Sequence, residues 1–177
     1  MATPSTRESV HDELERVRRR FHDLVDGATP ADLRRGSDGT RWTNGQLLFH
    51  MLLGFFVVRS LLPLVRFLGR RPAGAGRAFA AVLDAGTRPF HAVNHLGACG
   101  GALVLRGPRL LRQADRTIAG LHRALDRETE ATLALHMPFP QGWDPYFTDH
   151  MSVLDVYHYG TVHFEHHERQ LTLGAPT

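Results

Sequence analysis

Three histidines stand where leucines would be expected. His50 interrupts the apolar run from Leu47 to Val58, and His163 and His167 share one face of a C-terminal segment with Val156, Gly160 and Leu171. Residues four apart on a helix stack, with Cβ atoms roughly 6 Å from each other. Two imidazoles so placed converge on one ion at about 2.0–2.1 Å from each nitrogen. A third, from a facing helix, completes a three-histidine face and leaves positions open for water or substrate. Without an ion, each polar nitrogen stranded in a core costs about 1–3 kcal/mol. His50, His163 and His167 are therefore the candidate ligands of one divalent ion. Three imidazoles suit zinc, nickel, copper or iron. The rival readings are a core histidine with one hydrogen bond for His50, and a histidine-rich surface patch for the pair.

The spacing by itself is weak. With 12 histidines in 177 residues, chance supplies about one pair at the helical i,i+4 spacing. His91 and His95 form a second such pair, between Pro89 and Gly97 in a segment of ill-defined character. His166, three residues from His163, is expected at the edge of the site. Candidates for catalysis are Asn94, Asp155 and Tyr159, with Glu165, Trp143 and Tyr157 as further pocket residues. Each has a plainer reading. Asp155 lies three residues after Ser152 and fits a helix cap, Glu165 fits a solvent-facing position, and the aromatics fit packing. Asn94, an amide between two histidines in a Gly-rich stretch, is the best placed to line a pocket. Cys99 has no obvious helical base partner and reads as a small buried hydrophobe.

Four helical segments must position these residues. The first runs from about Ser5 to Asp26, with Ser5 and Glu8 spaced as a capping box and Val10, Leu14, Val17, Phe21 and Leu24 on one face. The second opens at Thr43, with Gln46 three residues on, and carries Leu47, His50, Gly54, Val57 and Leu61 to an expected kink at Pro63. The third runs from about Pro108 to Leu133 on a stripe of Leu111, Ala114, Ile118, Leu121 and Leu125. The fourth runs from about Ser152 to Thr172. Between them lie a polar connection (Leu33 to Gly39), a loop (Gly69 to Gly76), a short helix near Phe79 to Leu83 broken at Arg88-Pro89, a Gly-rich stretch from Phe90 to Leu105 that is part helix and part loop, and a loop from His136 to His150. No strand pattern competes. Amphipathic helices of this kind need one another to bury their stripes, so the expected fold is all-α, a four-helix bundle in a single domain over residues 1–177.

Composition narrows the function. A hydrophobic fraction of 42% with 22% charge is ordinary for a globular protein. All 21 Lys+Arg residues are arginines, which explains a pI near 9.7 although the formal net charge is only +3. No long basic stripe is interleaved with aromatics, so nucleic-acid binding is not expected. One cysteine excludes an intrachain disulfide and a thiolate cluster. Met1 to Arg20 has no apolar core of a secretory signal, and the expectation is a cytoplasmic protein. Leu47 to Val58 is apolar, but Arg59, Pro63 and Arg66 interrupt the residues beyond it, short of the roughly 20 clean residues that span a bilayer. A core helix is expected there instead. Its apolar excess calls for a central place in the bundle or a homodimer contact.

The order Trp42-Thr43, then Gln46-Leu47-Leu48-Phe49-His50, and finally Tyr157 through Leu171 with His163 and His167, resembles the DinB-like superfamily, also called the YfiT-like metal-dependent proteins. The resemblance covers most of the chain outside Gly69 to Arg106. It implies a four-helix bundle, often dimeric, holding zinc, nickel or another divalent ion on His50, His163 and His167. Characterised members include transferases and an isomerase that use low-molecular-weight thiols. The implied activity is thus metal-dependent activation of a small thiol as cosubstrate. The alternatives are hydrolysis by water at the same site, or a binding module in which the metal is structural.

Overall fold

The computed structural model describes residues 5–174, leaving aside the side chain of Ala73. The ends of the 1–177 span, residues 1–4 and 175–177, lie outside the described residues. The described chain is all-α but for one very small sheet. Its elements are α1 (Arg7–Asp26), α2 (Pro30–Arg34), α3 (Asn44–Leu68), α4 (Ala73–Ala85), α5 (Thr87–Val104), α6 (Pro108–Asp126), α7 (Glu130–Leu133), β1 (His136–Pro138), β2 (His150–Ser152) and α8 (Val153–Glu168).

The amphipathic stripes become the core. Val10, Leu14, Val17, Phe21 and Leu24 of α1 are buried, as are Leu111, Ala114, Ile118, Leu121 and Leu125 of α6. Helix α3 packs against both α8 and α6, and α1 packs against the same two. These four helices pack around one apolar core that runs from Val10 to Phe164. Helix α3 is apolar on more than one face because it is central, covered by α8, α5, α6 and α2. Its length and composition reach the range that crosses a membrane, yet 61% of its most apolar stretch is buried among the other helices. It is the core helix of the fold.

Several boundaries differ from the sequence expectation, each for a local reason. The cap of α1 is Thr6, whose side chain accepts from Ser9 N–H while Ser9 answers its backbone, in place of Ser5 with Glu8. Helix α3 carries Pro63 in its interior and runs to Leu68, up to the loop expected from Gly69. The carbonyl left without a donor belongs to Arg59, and both residues are exposed, so water serves it. Thr29 caps α2, a short helix not expected from the sequence, which takes in the first two residues of the expected polar connection. The expected Pro108–Leu133 helix is two, α6 ending at Asp126 and α7 starting anew after its cap Thr129. The last helix ends at Glu168, short of Thr172.

The largest difference is the middle of the chain. The stretch expected as loop and broken helix forms α4 and α5, separated only by Gly86. Pro89 does not break the chain because it falls in the first turn of α5, where the N–H has no intrahelical partner in any case. Helix α5 lies on α3. The expected loop from His136 to His150 contains a strand pair, with His136 opposite Ser152, Met137 opposite Met151 and Pro138 opposite His150. Three-residue strands are too short to show alternation. This ladder pinches off the loop from Phe139 to Asp149.

Candidate metal centre

Thr43 and Gln46 form the capping box that starts α3, so His50 arises near the end of its second turn. Ser152 and Asp155 form the corresponding box on α8, which fixes the phase at which Tyr159, His163 and His167 follow one another on a single face. Helices α3 and α8 approach closely because Gly160 faces Phe55 and Gly54 faces His163. A Cβ at position 54 would stand 2.5 Å from His163 Nδ1 and 2.8 Å from Cε1. Gly54, one turn beyond His50 on the same helix face, is therefore the seat of the His163 ring.

The three rings converge. Their ligand atoms all lie within 4.8 Å of one another, and the Nε2 atoms of His50 and His167 are 3.1 Å apart. Ring centroids stand 5.0 Å apart for His50 and His163, and 4.6 Å for His167 with either partner. His50 and His163 are each only 4% exposed. Burial pushes the His50 imidazole down to about 3, with His167 and then His166 adding repulsion. Burial likewise holds His163 well below its ordinary value, and His167 is lowered for the same first reason although its bond to Gln170 pulls the other way. The rings are thus neutral, the form that ligates metal.

Each ring is braced differently. The indole of Trp42 stacks on His50 at 4.4 Å. His163 rests on Gly54. His167 Nδ1 is 2.7 Å from Gln170 Oε1, and as the donor of that bond it turns Nε2 inward. The Nδ1 atoms of His50 and His163 are buried with no hydrogen-bond partner. Three neutral imidazoles with ligand atoms within 4.8 Å of one another, two of their Nε2 atoms at 3.1 Å, suit a shared ion. A tetrahedral site with ligands at about 2.0–2.1 Å has edges of roughly 3.3 Å. The donor set can hold one divalent ion.

A cleft of about 390 Å³ opens beside His167, lined by Trp42, His91, Asn94, His95 and Gln170 among others. Asn94 lines a pocket, as its position between two histidines suggested. His91 and His95 face this cleft and do not join the three-histidine cluster. His95 stacks on Trp42 at 5.8 Å. It also stands 4.0 Å from Cys99 Sγ, one turn on, which corrects the expectation that Cys99 lacks a helical partner. That pairing was hidden because α5 did not read as a continuous helix. His166 sits at the edge, its Nδ1 2.9 Å from Tyr146 OH.

The remaining candidates divide. Asp155 is exposed and serves the cap of α8. Glu165 pairs with Arg16 at 3.2 Å and is half exposed. Trp143 donates to Leu83 O at 2.8 Å and stacks on Phe90 at 3.9 Å, pinning its loop to α4 and α5. Tyr157 is buried beside the ion pair of Arg66 and Glu128, and burial pushes its phenol up to about 12. Tyr159 is at the centre: its ring lies 5.7 Å from that of His163, and its hydroxyl donates to Asp144 Oδ2 at 2.8 Å. Burial, with Asp144 beside it, holds that phenol protonated.

Sequence reasoning missed Asp144, Gln170 and the use of Gly54. Gln170 stands three residues after His167 and Gly54 four after His50, spacings visible in the chain. Asp144 carries no such signal, since a loop delivers it.

Neutral imidazoles from two helices, a stacked indole and an adjoining cleft define a predominantly helical protein with a metal-capable three-histidine centre. A family model described as the DinB superfamily matches residues 13–171, and the chain belongs to that superfamily. No curated protein and no solved structure matches it.

Proposed function

We propose that this chain is a cytoplasmic metal-dependent enzyme that activates a small thiol for transfer, with α1, α3, α6 and α8 as the four-helix bundle of the DinB type. His50, His163 and His167 would hold one divalent ion, zinc or nickel. The observation that carries the reading is the meeting of three neutral imidazoles at one interior point, with ligand atoms within 4.8 Å of one another. When bound, the ion supplies Lewis acidity that lowers the pKa of a thiol or water at an open position.

The chain's own residues supply the rest. Trp42 closes one wall over His50 and keeps water from that side. Gln170 fixes the inward nitrogen of His167. Asn94, His91 and His95 line the cleft through which a cosubstrate reaches His167, with amide and imidazole groups for its polar end. The thiol assignment draws on the family's characterised members, and the size of the cleft supports it.

The test is elemental analysis of purified protein beside His163→Ala, followed by incubation with a low-molecular-weight thiol and an electrophile. The expected result is about one ion per chain, lost in the variant, with thiol consumption that depends on the ion. Metal retained by His163→Ala refutes the site. Metal-dependent turnover that needs no thiol assigns the site to hydrolysis instead.

A further inference from the structure

We propose that Asp144 is a fourth protein ligand of the ion, making the centre three imidazoles and one carboxylate, with Tyr159 as the residue that positions it. The inference rests on the metal reading above and goes beyond it.

The setting of the Asp144 side chain is the first observation. Its side chain is only 15% exposed, and a buried carboxylate needs a counter-charge. Among the described residues no arginine pairs with it; the one basic group within 4.0 Å is His163, whose Nε2 stands at that distance from Oδ2. Two hydrogen bonds hold it in place without neutralising it. Tyr146 N–H donates to Oδ1 at 2.9 Å, and Tyr159 O–H donates to Oδ2 at 2.8 Å. An ionised carboxylate oxygen accepts twice, so Oδ2 retains a lone pair beyond the one Tyr159 engages.

Geometry is the second. The Gly54 seat takes the Nδ1 edge of His163, so the nitrogen near Asp144 is also the one free to ligate. Two atoms bound to a common ion at about 2.0–2.2 Å lie roughly 3–4 Å apart, according to the angle between them. The Asp144 to His163 separation falls at the wide end of that range, and because Asp144 stands outside the set of ligand atoms within 4.8 Å of one another, it reaches the ion by a rotation of its side chain. Tyr159, His163 and His167 follow at four-residue intervals on α8, so one helix face carries two imidazoles and the hydroxyl that holds the carboxylate. The loop cannot swing Asp144 away freely. The β1–β2 ladder closes its base, and the neighbouring Trp143 is bonded to Leu83 and stacked on Phe90.

A carboxylate ligand changes what the centre is. It lowers the net charge of a divalent site from two to one, softens the pull on a bound thiol or water, and favours metals that accept five or six ligands over a strictly tetrahedral one.

Cobalt(II) alone is the probe, added to wild type, Asp144→Asn, Asp144→Cys and Tyr159→Phe. Circular dichroism of each checks the fold. Asp144→Asn is expected to weaken cobalt binding about tenfold or more and to shift the visible ligand-field bands. Asp144→Cys is expected to bring an intense near-ultraviolet thiolate-to-cobalt charge-transfer band, absent from wild type, whose one cysteine pairs with His95. Tyr159→Phe, keeping the carboxylate but not its anchor, is expected to show a smaller loss of affinity with the wild-type bands broadened. Cobalt bound alike by wild type and Asp144→Asn, with no charge-transfer band in Asp144→Cys, overturns the inference alone. A wild-type protein that takes up no cobalt overturns the metal reading and this inference with it.

Discussion

Replacing Gly54 with alanine tests whether the position of His163 is set by shape. The new methyl would stand 2.5 Å from Nδ1, 2.8 Å from Cε1 and 3.3 Å from Cγ of the ring. Carbon contacts are comfortable from about 3.5 Å, so the ring must retreat by roughly 1 Å. It has little room, with the His50 ring 5.0 Å away on one side and Tyr159 at 5.7 Å on another. Overpacking of this kind costs about 1–3 kcal/mol, and alanine returns about 1 kcal/mol of helix propensity over glycine. The metal-free variant should therefore lose about 0–2 kcal/mol, a fall in Tm of up to roughly 8 °C. Metal should suffer more, since ligand distances tolerate only about ±0.2 Å; a loss of about a hundredfold in affinity is expected, the upper end for disturbing a supporting contact. Thermal melts with and without metal, and competition titration against a chelator of known affinity, separate the two effects. Gly120→Ala in α6, where an added Cβ meets only Arg123 Nη2 at 3.9 Å, is the control and should leave metal binding unchanged. Wild-type metal affinity in Gly54→Ala would refute the idea that this glycine seats the ligand.

Three further outcomes are expected. The metal-free protein should lose stability as pH falls: the unfolded imidazole titrates near 6.5 and the buried His50 near 3, so the unfolded chain binds the extra proton. His50's contribution is whole above about pH 6.5 and about 2 kcal/mol smaller at pH 5; a urea midpoint that does not move between pH 7 and pH 5 contradicts it. His163 and His167, shifted in the same direction, steepen that loss. Gln170→Ala removes the acceptor for His167 Nδ1 and should weaken metal binding by about tenfold with little change in Tm, whereas Gln170→Glu should restore it. Glu128→Ala strands Arg66, whose Nε is already unpartnered, beside Tyr157. Denaturant unfolding should report a loss of about 3 kcal/mol, the lower end for a broken buried pair because Arg66 is partly exposed, and metal affinity should stay as it was.

The outer helices were legible because their environments are one-sided, and the second helix, which carries His50, because it opens on a capping box and runs apolar. Helices α1 and α6 have a dry face and a wet face, and the stripes that mark them are the residues now in the core. His50, His163 and His167 stood out because each occupies a place in such a stripe. Helices α4 and α5 gave no contrast. Alanine and glycine fill both faces, α5 buries only Ala98 fully, and Val93, Leu96, Leu103 and Val104 are exposed. Pro89 looked like a breaker because its position in the first turn depends on where the helix starts, and no side chain caps that start. Asp144 was out of reach for another reason. Its approach to His163 is fixed by a strand pair three residues long and by an indole stacked on a helix that was itself not recognised.

The unpartnered Nδ1 atoms of His50 and His163 have an electronic consequence. Where a ligating imidazole gives its far N–H to a carboxylate or carbonyl, the same bond both aims the ring and enriches its donor nitrogen. Here those two jobs are divided. An indole plane and a bare stretch of backbone act as walls that aim two rings and lend them no electron density, and only His167 is tethered by an oxygen. Direction and donor strength are thus separately adjustable: altering Trp42 or Gly54 re-aims a ring, whereas altering Gln170 changes how strongly one nitrogen gives.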